Sequence, residues 1–260
     1  MKPEISEFSY GYGVTEAFAE RWRPHLTAAP AYPSLLYEGR PGGGYDVRLE
    51  RRGIPLFLQF KLSDYMVRSY VREARRGLLT VPFYRMYLQS PHRSNQHRML
   101  LDLEARGQRV RYVAPMFHRT GEFNDAYQNR QILQRSIFLR PSAIGPLSAG
   151  SNHHIAFRGR HEWYLLSDPQ WSEEPLDDET FGNEILSAVE QFGANALTED
   201  ALGHLKTQMV EIVQRWRPRE QPAYELSFRP EQGEDALRQV GYLSRTFFGS
   251  ECIIVWRPQK

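Results

Sequence analysis

The chain has few cysteines, few lysines and no long apolar run. Its single cysteine, Cys252, cannot form an intrachain disulfide and excludes a zinc site with four cysteine ligands. The absence of a run of about 18 apolar residues predicts that no helix spans a membrane and that the protein does not act at one. The N-terminal residues lack an apolar signal core, so we expect a cytoplasmic protein.

The chain has no large excess of charge of either sign. The formal net charge is +2, so bulk charge does not indicate a nucleic-acid-binding protein. Arginine replaces lysine nearly everywhere, and the only lysines are Lys2, Lys61, Lys206 and Lys260. A lysine is a compact point charge whose pKa shifts readily on burial. Lys61 lies within an apolar segment and is therefore a candidate functional residue.

The composition and the order of the predicted elements indicate an α/β protein. Apolar residues make up 41% of the 260 residues, which is enough for a folded core. Apolar periodicity predicts helices at Tyr12–His25, Ser94–Arg106, Phe123–Leu133, Thr180–Phe192, Thr198–Trp216 and Asp235–Ser244. It predicts strands at Leu35–Tyr37, Tyr45–Arg51, Ile54–Leu62, Phe83–Gln89, Arg109–Met116, Ser136–Leu139, His154–Phe157, Trp163–Ser167 and Cys252–Trp256, with Asp64–Arg76 as a helix or an ordered loop. We expect a core over residues 1–170 and a largely helical C-terminal extension over residues 171–260.

Two polar residues interrupt the most apolar of these strands. Side chains alternate between the two faces of a strand, so Gln59 and Lys61 are neighbours on one face of Ile54–Leu62. A short turn joins this strand to Tyr45–Arg51, which carries Asp46. Pairing of the two strands would bring Asp46 beside Gln59.

These residue types suit the hydrolysis of a phosphodiester bond. A hard cation such as Mg²⁺ or Mn²⁺ prefers oxygen ligands, which Asp46, the Gln59 amide and the Phe60 backbone carbonyl can supply. Such a cation polarises a phosphate and lowers the pKa of a bound water. Lys61 can orient that water and stabilise the charge that develops on the phosphate oxygens. We therefore expect Mg²⁺ or Mn²⁺ as the cofactor.

The pattern of Asp46 followed by Gln59-Phe60-Lys61 resembles the signature of the PD-(D/E)xK, or restriction-endonuclease-like, nuclease superfamily. The resemblance extends from Gly11 to Met116. Gln59 replaces the usual acidic residue, as is typical of Mrr-type restriction enzymes, and Tyr45 stands where many members have proline. The resemblance implies a helix, a three-stranded meander, a helix and a strand, with helices flanking a mixed central sheet.

The resemblance also implies further site residues and an activity. Many members carry a metal-binding glutamate on the first helix, for which Glu16 is the best match and Glu20 the alternative. A later helix often adds a polar residue, and Gln96 matches it. The implied function is a metal-dependent endonuclease that cleaves nucleic acid, with DNA as the expected substrate. Bacterial anti-phage defence is the setting that this resemblance suggests.

An arginine-rich segment follows the motif strand. If it is helical, Arg68, Arg72 and Arg76 share a face that can neutralise phosphates, and a solvated helix face is an equally good interpretation. Ser63 lies two residues beyond Lys61 and can either contact a phosphate or cap a helix. We predict these four residues, together with Gln96, as the nucleic-acid-binding set.

Two other functions are consistent with the sequence. The neutral side chain of Gln59 fits a catalytically silent nuclease fold that binds nucleic acid or a partner protein. Alternatively, the chain is a structural or regulatory subunit whose residues 171–260 bind a partner. No ATPase or sequence-reading motif is evident, so we expect a protein partner or a homo-oligomer in either case.

Overall fold

The computed structural model of the chain describes residues 1–23, 53–68, 77, 79–149, 153–167, 170–172, 177–192, 197–218 and 236–256. The helices are α1 (Glu7–Trp22), α2 (Gln96–Ala105), α3 (Thr120–Gln128), α4 (Pro141–Ile144), α5 (Asp178–Phe192), α6 (Glu199–Trp216) and α7 (Ala236–Leu243), and the π-helical turn Ser244–Phe248 follows α7. The strands are β1 (Gly53–Phe60), β2 (Ser63–Met66), β3 (Phe83–Leu88), β4 (Arg109–Pro115), β5 (Ser136–Leu139), β6 (His153–Phe157), β7 (Trp163–Leu165), β8 (Gln170–Ser172) and β9 (Glu251–Trp256).

The described strands form two sheets, and the fold is α/β as predicted. The four-stranded sheet has the order β5-β4-β1-β9; it is mixed and flanked by helices. Within it, β1 pairs with β9 and β4 pairs with β5, both antiparallel. The five-stranded sheet has the order β2-β3-β6-β7-β8, and each neighbouring pair is antiparallel.

Contacts divide the chain into two units, and each unit is assembled from three segments. Unit 1 contains residues 1–21, 59–97 and 111–184, and unit 2 contains residues 22–58, 98–110 and 185–260. The five-stranded sheet lies within unit 1, whereas α6, α7 and β9 lie within unit 2. The domain boundary after residue 170 stays a prediction from the sequence. The predicted C-terminal extension is not only helical, because β9 is a strand of the mixed sheet.

Strand β1 is buried along its whole length, and Gln59 is its one polar side chain. All eight of its residues are buried, as expected of an interior strand with neighbours on either side. Its pairing with β9 runs from Gly53 opposite Trp256 to Leu58 opposite Glu251. The strand predicted at Ile54–Leu62 is therefore confirmed, but regular pairing ends at Phe60, so Lys61 follows the strand.

Helix α1 begins five residues before its predicted start at Tyr12. The hydroxyl of Ser6 accepts a hydrogen bond of 3.0 Å from the Ser9 backbone N–H, and the Ser6 carbonyl accepts one of 3.1 Å from the Tyr10 N–H. Ser6 thus caps the helix, and this local signal outweighs the low helix propensity of Gly11 and Gly13.

Most other predicted elements are present. The structure confirms the predicted strands that correspond to β3, β4, β5, β6, β7 and β9, and the helices that correspond to α2, α5, α6 and α7. Asp64–Arg76 was predicted to be a helix or an ordered loop. The first residues of this segment were predicted wrongly, because Ser63–Met66 pairs with β3 as a strand. The strands predicted at residues 35–37 and 45–51 lie outside the described residues. The predicted pairing of the second of them with β1 was wrong, because β4 and β9 occupy the two edges of β1. No helix in the described part of the chain is long and apolar enough to cross a membrane.

Candidate active site

The C-terminal end of β1 carries the polar residues singled out in the sequence. Gln59 is buried with 5% of its surface exposed, although it is polar. Lys61 comes directly after the strand and is partly buried; its backbone N–H donates a hydrogen bond of 2.9 Å to the Val113 carbonyl of β4. The neighbouring strand therefore fixes the backbone from which the lysine side chain departs.

Three polar side chains form one hydrogen-bonded cluster at this end of β1. The Gln96 Nε2 group donates a hydrogen bond of 2.7 Å to Gln59 Oε1, and the Lys61 Nζ group donates one of 3.2 Å to Gln96 Oε1. The Gln59 Nε2 group donates one of 2.9 Å to the Phe60 carbonyl. Gln96, at the start of α2, thus bridges Gln59 and Lys61. We call Gln59, Lys61 and Gln96 the polar cluster.

Burial and one nearby carboxylate act in opposite directions on Lys61. Desolvation lowers the pKa of its ammonium group, and the negative charge of Glu7 partly restores it. Glu7 lies in the first turn of α1. Lys61 is therefore a partly desolvated cation whose pKa lies below its usual value because burial outweighs the attraction of the Glu7 carboxylate.

A glycine on α1 allows the helix to lie close to the polar cluster. A Cβ atom added to Gly11 would lie 2.9 Å from Phe60 Cδ2, which is too close for a real contact. Tyr10 packs edge-on against the Phe60 ring at a centroid distance of 6.0 Å. The side chain that separates Gln59 from Lys61 in sequence is therefore held directly by the first turns of α1.

The structure places Glu16 and Glu20 apart from the described contacts of the polar cluster. Glu16 is exposed, and its carboxylate accepts a hydrogen bond from the Tyr127 hydroxyl; Glu20 pairs with Arg130 at 3.1 Å. Glu16 follows Glu7 by two and a half helical turns, so it lies on the opposite face of α1 and about 13 Å further along the axis. The α1 carboxylate that acts on Lys61 is that of Glu7, which the sequence analysis missed.

Several predicted site residues cannot be placed with the cluster. Asp46, Arg72 and Arg76 lie outside the described residues. Arg68 is exposed just beyond β2. Ser63 is fully buried, and its hydroxyl has no hydrogen-bond partner among the described residues, so it does not present a surface to a phosphate.

The described residues do not by themselves form a divalent-cation site. No group of three or more His, Cys, Asp or Glu side chains that could hold a metal occurs within the described ranges. The oxygens at the end of β1 are neutral: Gln59 Oε1 accepts a hydrogen bond from Gln96, and the Phe60 carbonyl accepts one from Gln59. This donor set fits a hard cation such as Mg²⁺ only when carboxylates complete it, and Glu7 and Asp46 are the candidates.

Comparison with family models, with curated proteins and with solved structures finds no match to this chain. The resemblance to the restriction-endonuclease-like nucleases therefore stays a prediction from the motif.

Proposed function

We propose that the chain is a divalent-metal-dependent nuclease that hydrolyses phosphodiester bonds, with DNA as its substrate. The observation that carries the proposal is the polar cluster. The sequence motif predicts Gln59, Lys61 and Gln96 as members of one site. Lys61 and Gln96 are 35 residues apart in the sequence, yet hydrogen bonds of 2.7 and 3.2 Å connect the three side chains. A chance similarity of sequence gives no reason for that meeting.

Each residue of the cluster has a part in the proposed reaction. Gln59, the Phe60 carbonyl, Glu7 and Asp46 would hold Mg²⁺ or Mn²⁺, which when bound polarises the phosphate and activates a water. Lys61 would contribute its ammonium group to the phosphate oxygens on which negative charge develops. Gln96 positions that ammonium group by accepting its hydrogen bond. Burial strengthens the interaction, because the local dielectric is lower than that of water.

One observation favours a second candidate function, a catalytically silent nuclease fold that binds nucleic acid or a partner protein. The amides of Gln59 and Gln96 already satisfy each other and Lys61. A closed network of this kind also stabilises a fold without any reaction. The two candidates differ in whether the protein binds a divalent cation and cleaves.

The experiment is the nicking and linearisation of supercoiled plasmid with Mg²⁺ or Mn²⁺. We would compare the wild type, Lys61→Ala and the matched control Lys206→Ala, which removes a partly buried lysine of α6. We expect cleavage by the wild type and by Lys206→Ala, and loss of cleavage in Lys61→Ala and on addition of a chelator. Circular dichroism would verify that each variant is folded.

The other outcomes are also informative. Cleavage that survives in Lys61→Ala would overturn the site assignment, since it would come from another site or another protein. Absence of cleavage by the wild type, together with no Asp46-dependent binding of Mg²⁺ in calorimetry, would favour the silent fold. Cation binding that Asp46→Ala abolishes would argue against the silent fold.

A further inference from the structure

Two buried histidines hold the segment that follows α4. His97 lies in the first turn of α2, and His153 is the first residue of β6. The Nε2 atom of His97 is 2.8 Å from the Gly145 carbonyl oxygen, and that of His153 is 2.7 Å from the Ser148 carbonyl oxygen. A carbonyl oxygen can only accept a hydrogen bond, so each Nε2–H donates. Residues 145–148, which we call the histidine-held segment, are thus fixed at both ends.

The second ring nitrogen of His97 contacts β4. Its Nδ1 atom lies 2.9 Å from the hydroxyl oxygen of Tyr112, which is buried as well. Burial lowers the pKa of His97 to about 4, so the ring is neutral near neutral pH. A neutral imidazole has one donor and one acceptor, and because Nε2 donates, Nδ1 accepts from the Tyr112 hydroxyl. Both polar atoms of the ring are therefore engaged, one by the histidine-held segment and one by β4.

This hydrogen bond joins the two elements that hold Lys61. His97 directly follows Gln96, whose side chain accepts the hydrogen bond from the Lys61 ammonium group. Tyr112 directly precedes Val113, whose carbonyl accepts the hydrogen bond from the Lys61 backbone N–H. The contact between His97 and Tyr112 therefore lies one residue away from both contacts of the lysine, the one that fixes its main chain and the one that fixes its charge.

We propose that His97 is a positioning residue whose two hydrogen bonds fix the first turn of α2 against β4 and the histidine-held segment, and so set where Gln96 meets Lys61. This inference rests on the proposed function and adds to it a residue that touches neither the metal nor the substrate. The hydrogen bond from Lys61 to Gln96 is already 3.2 Å long. A displacement of α2 by about 0.5 Å would lengthen it beyond the normal range.

The test follows the protonation of Lys61 directly. The chain has four lysines, so the full chain labelled with ¹³C-lysine gives four Cε signals, and Lys61→Ala identifies one of them. Titrating this signal with pH measures the pKa of Lys61 whether or not the protein cleaves. Gln96→Leu is the reference variant, because it removes the acceptor of the ammonium group itself.

Three substitutions by phenylalanine then locate the effect. His97→Phe keeps a ring but removes both polar atoms. Tyr112→Phe removes only the hydroxyl that donates to Nδ1, and it decides the test if His97→Phe does not fold. The matched control is His153→Phe, since His153 is also buried and also donates to the histidine-held segment, but it is not adjacent to a residue of the polar cluster. Circular dichroism and plasmid cleavage would be measured for each variant.

We expect Gln96→Leu to lower the pKa of Lys61, because the oxygen that favours the charged ammonium group is gone. His97→Phe should change that pKa in the same direction and slow cleavage by roughly 10- to 100-fold, as when a catalytic group is displaced by about an ångström. Tyr112→Phe should have the same effects to a smaller extent. In His153→Phe the pKa and the cleavage rate should stay close to those of the wild type.

The remaining outcomes separate this proposal from the nuclease function. A pKa of Lys61 that neither His97→Phe nor Tyr112→Phe changes would overturn the positioning role, and cleavage by the wild type would then leave the nuclease in place. An equal effect of His153→Phe would also overturn it, because both histidines would then act only through stability. A change of pKa confined to His97→Phe, Tyr112→Phe and Gln96→Leu, without cleavage by the wild type, would support the positioning role and overturn the nuclease.

Discussion

Gln96 accepts a hydrogen bond of 3.2 Å from the ammonium group of Lys61. The same side chain donates one of 2.7 Å to Gln59. Gln96→Leu would keep the size of the side chain but remove both partners, leaving a desolvated cation and a buried amide oxygen unsatisfied. We expect a loss of about 1–3 kcal/mol in the free energy of unfolding, measured by urea denaturation, together with loss of plasmid cleavage.

A matched control for this change is Gln128→Leu on the exposed end of α3. It makes the same substitution without a buried partner and should alter the free energy of unfolding by less than about 0.5 kcal/mol. Equal effects of the two substitutions would mean that the Gln96 hydrogen bonds contribute nothing to stability.

Gly11→Ala should displace the ring of Phe60, the residue between Gln59 and Lys61. The added methyl group would lie 2.9 Å from Phe60 Cδ2. Because Phe60 is buried, the ring can move only by repacking, so we expect a destabilisation of about 1–3 kcal/mol and reduced cleavage. Thermal unfolding and the plasmid assay measure the two effects.

The control is Gly203→Ala within α6, where nothing lies within 4 Å of the added Cβ. There alanine should stabilise the protein by about 0.5–1 kcal/mol, since it favours the helix more than glycine does. A Gly11→Ala protein that is as stable and active as the wild type would show that the close packing on Phe60 is dispensable.

Two variants test which carboxylate of α1 belongs to the site. Glu7→Gln removes the one that acts on Lys61 in the structure, and Glu16→Gln removes the metal ligand that the motif predicts. Glu7 raises the pKa of Lys61, so its neutralisation should lower that pKa further. Lys61 must be charged to stabilise a phosphate, so the decline of cleavage at alkaline pH should begin at a lower pH in Glu7→Gln. We also expect cleavage at neutral pH to fall by roughly 10- to 100-fold, as when a residue that orients a metal site is removed.

Glu16→Gln should leave both the rate and its pH dependence close to those of the wild type. The reverse result, with Glu16→Gln inactive and Glu7→Gln active, would restore the assignment made from the motif. Rates at several Mg²⁺ concentrations would show whether either carboxylate contributes to metal affinity.

His97 should make the protein sensitive to acid. It is buried; its Nε2–H donates to the Gly145 carbonyl at 2.8 Å, and Nδ1 accepts from the Tyr112 hydroxyl at 2.9 Å. Burial lowers the pKa of His97 from 6.5 to about 4. Between these pH values the unfolded chain binds a proton that the folded chain does not, so stability falls as the pH falls through this window, by about 3 kcal/mol in total.

Urea denaturation of the wild type and of His97→Gln at several pH values between 7 and 4 measures this contribution as a difference. The variant should lose less stability on acidification, although it is less stable at pH 7. His92→Gln, an exposed control, should follow the wild type. Identical pH dependence in the wild type and His97→Gln would show that this histidine titrates normally in the folded protein.

Local sequence signals predicted the elements well where a single rule decides them. The helix α2 is bounded by Ser94, whose hydroxyl accepts from the Gln96 N–H at 3.1 Å, and by Gly107, whose φ is +89°. Thr198 caps α6 in the same way, by accepting from the Ala201 N–H at 3.2 Å. Each of these contacts lies within a segment of three or four consecutive residues, so the local sequence alone indicates it.

Tertiary pairing was harder to predict. Nothing local to Ser63–Met66 indicates that it pairs with β3, because four residues are too few for a clear alternation. The pairing of β1 with β9 also has no local signal, although both segments were predicted to be strands. Such pairings depend on which apolar surfaces remain to be covered after the helices have packed.

The candidate site shows the same division between local and tertiary information. Strand alternation predicted Gln59 and Lys61 as neighbours and the family pattern added Gln96, and in the structure Gln96 bridges the other two by hydrogen bonds. The family pattern gave Glu16, with Glu20 as the alternative. Glu7 was missed because the helix was predicted to start at Tyr12, which leaves Glu7 outside it. Recognising Ser6 as the cap would have brought Glu7 into the first turn of α1.

The partner strand of β1 has a consequence for biosynthesis. β9, whose first residue Glu251 lies opposite Leu58, leaves the ribosome long after β1. At typical translation rates the interval is roughly 10 to 40 s, so during that time β1 has no β9 with which to pair. A nascent chain therefore cannot complete this sheet until β9 has been synthesised.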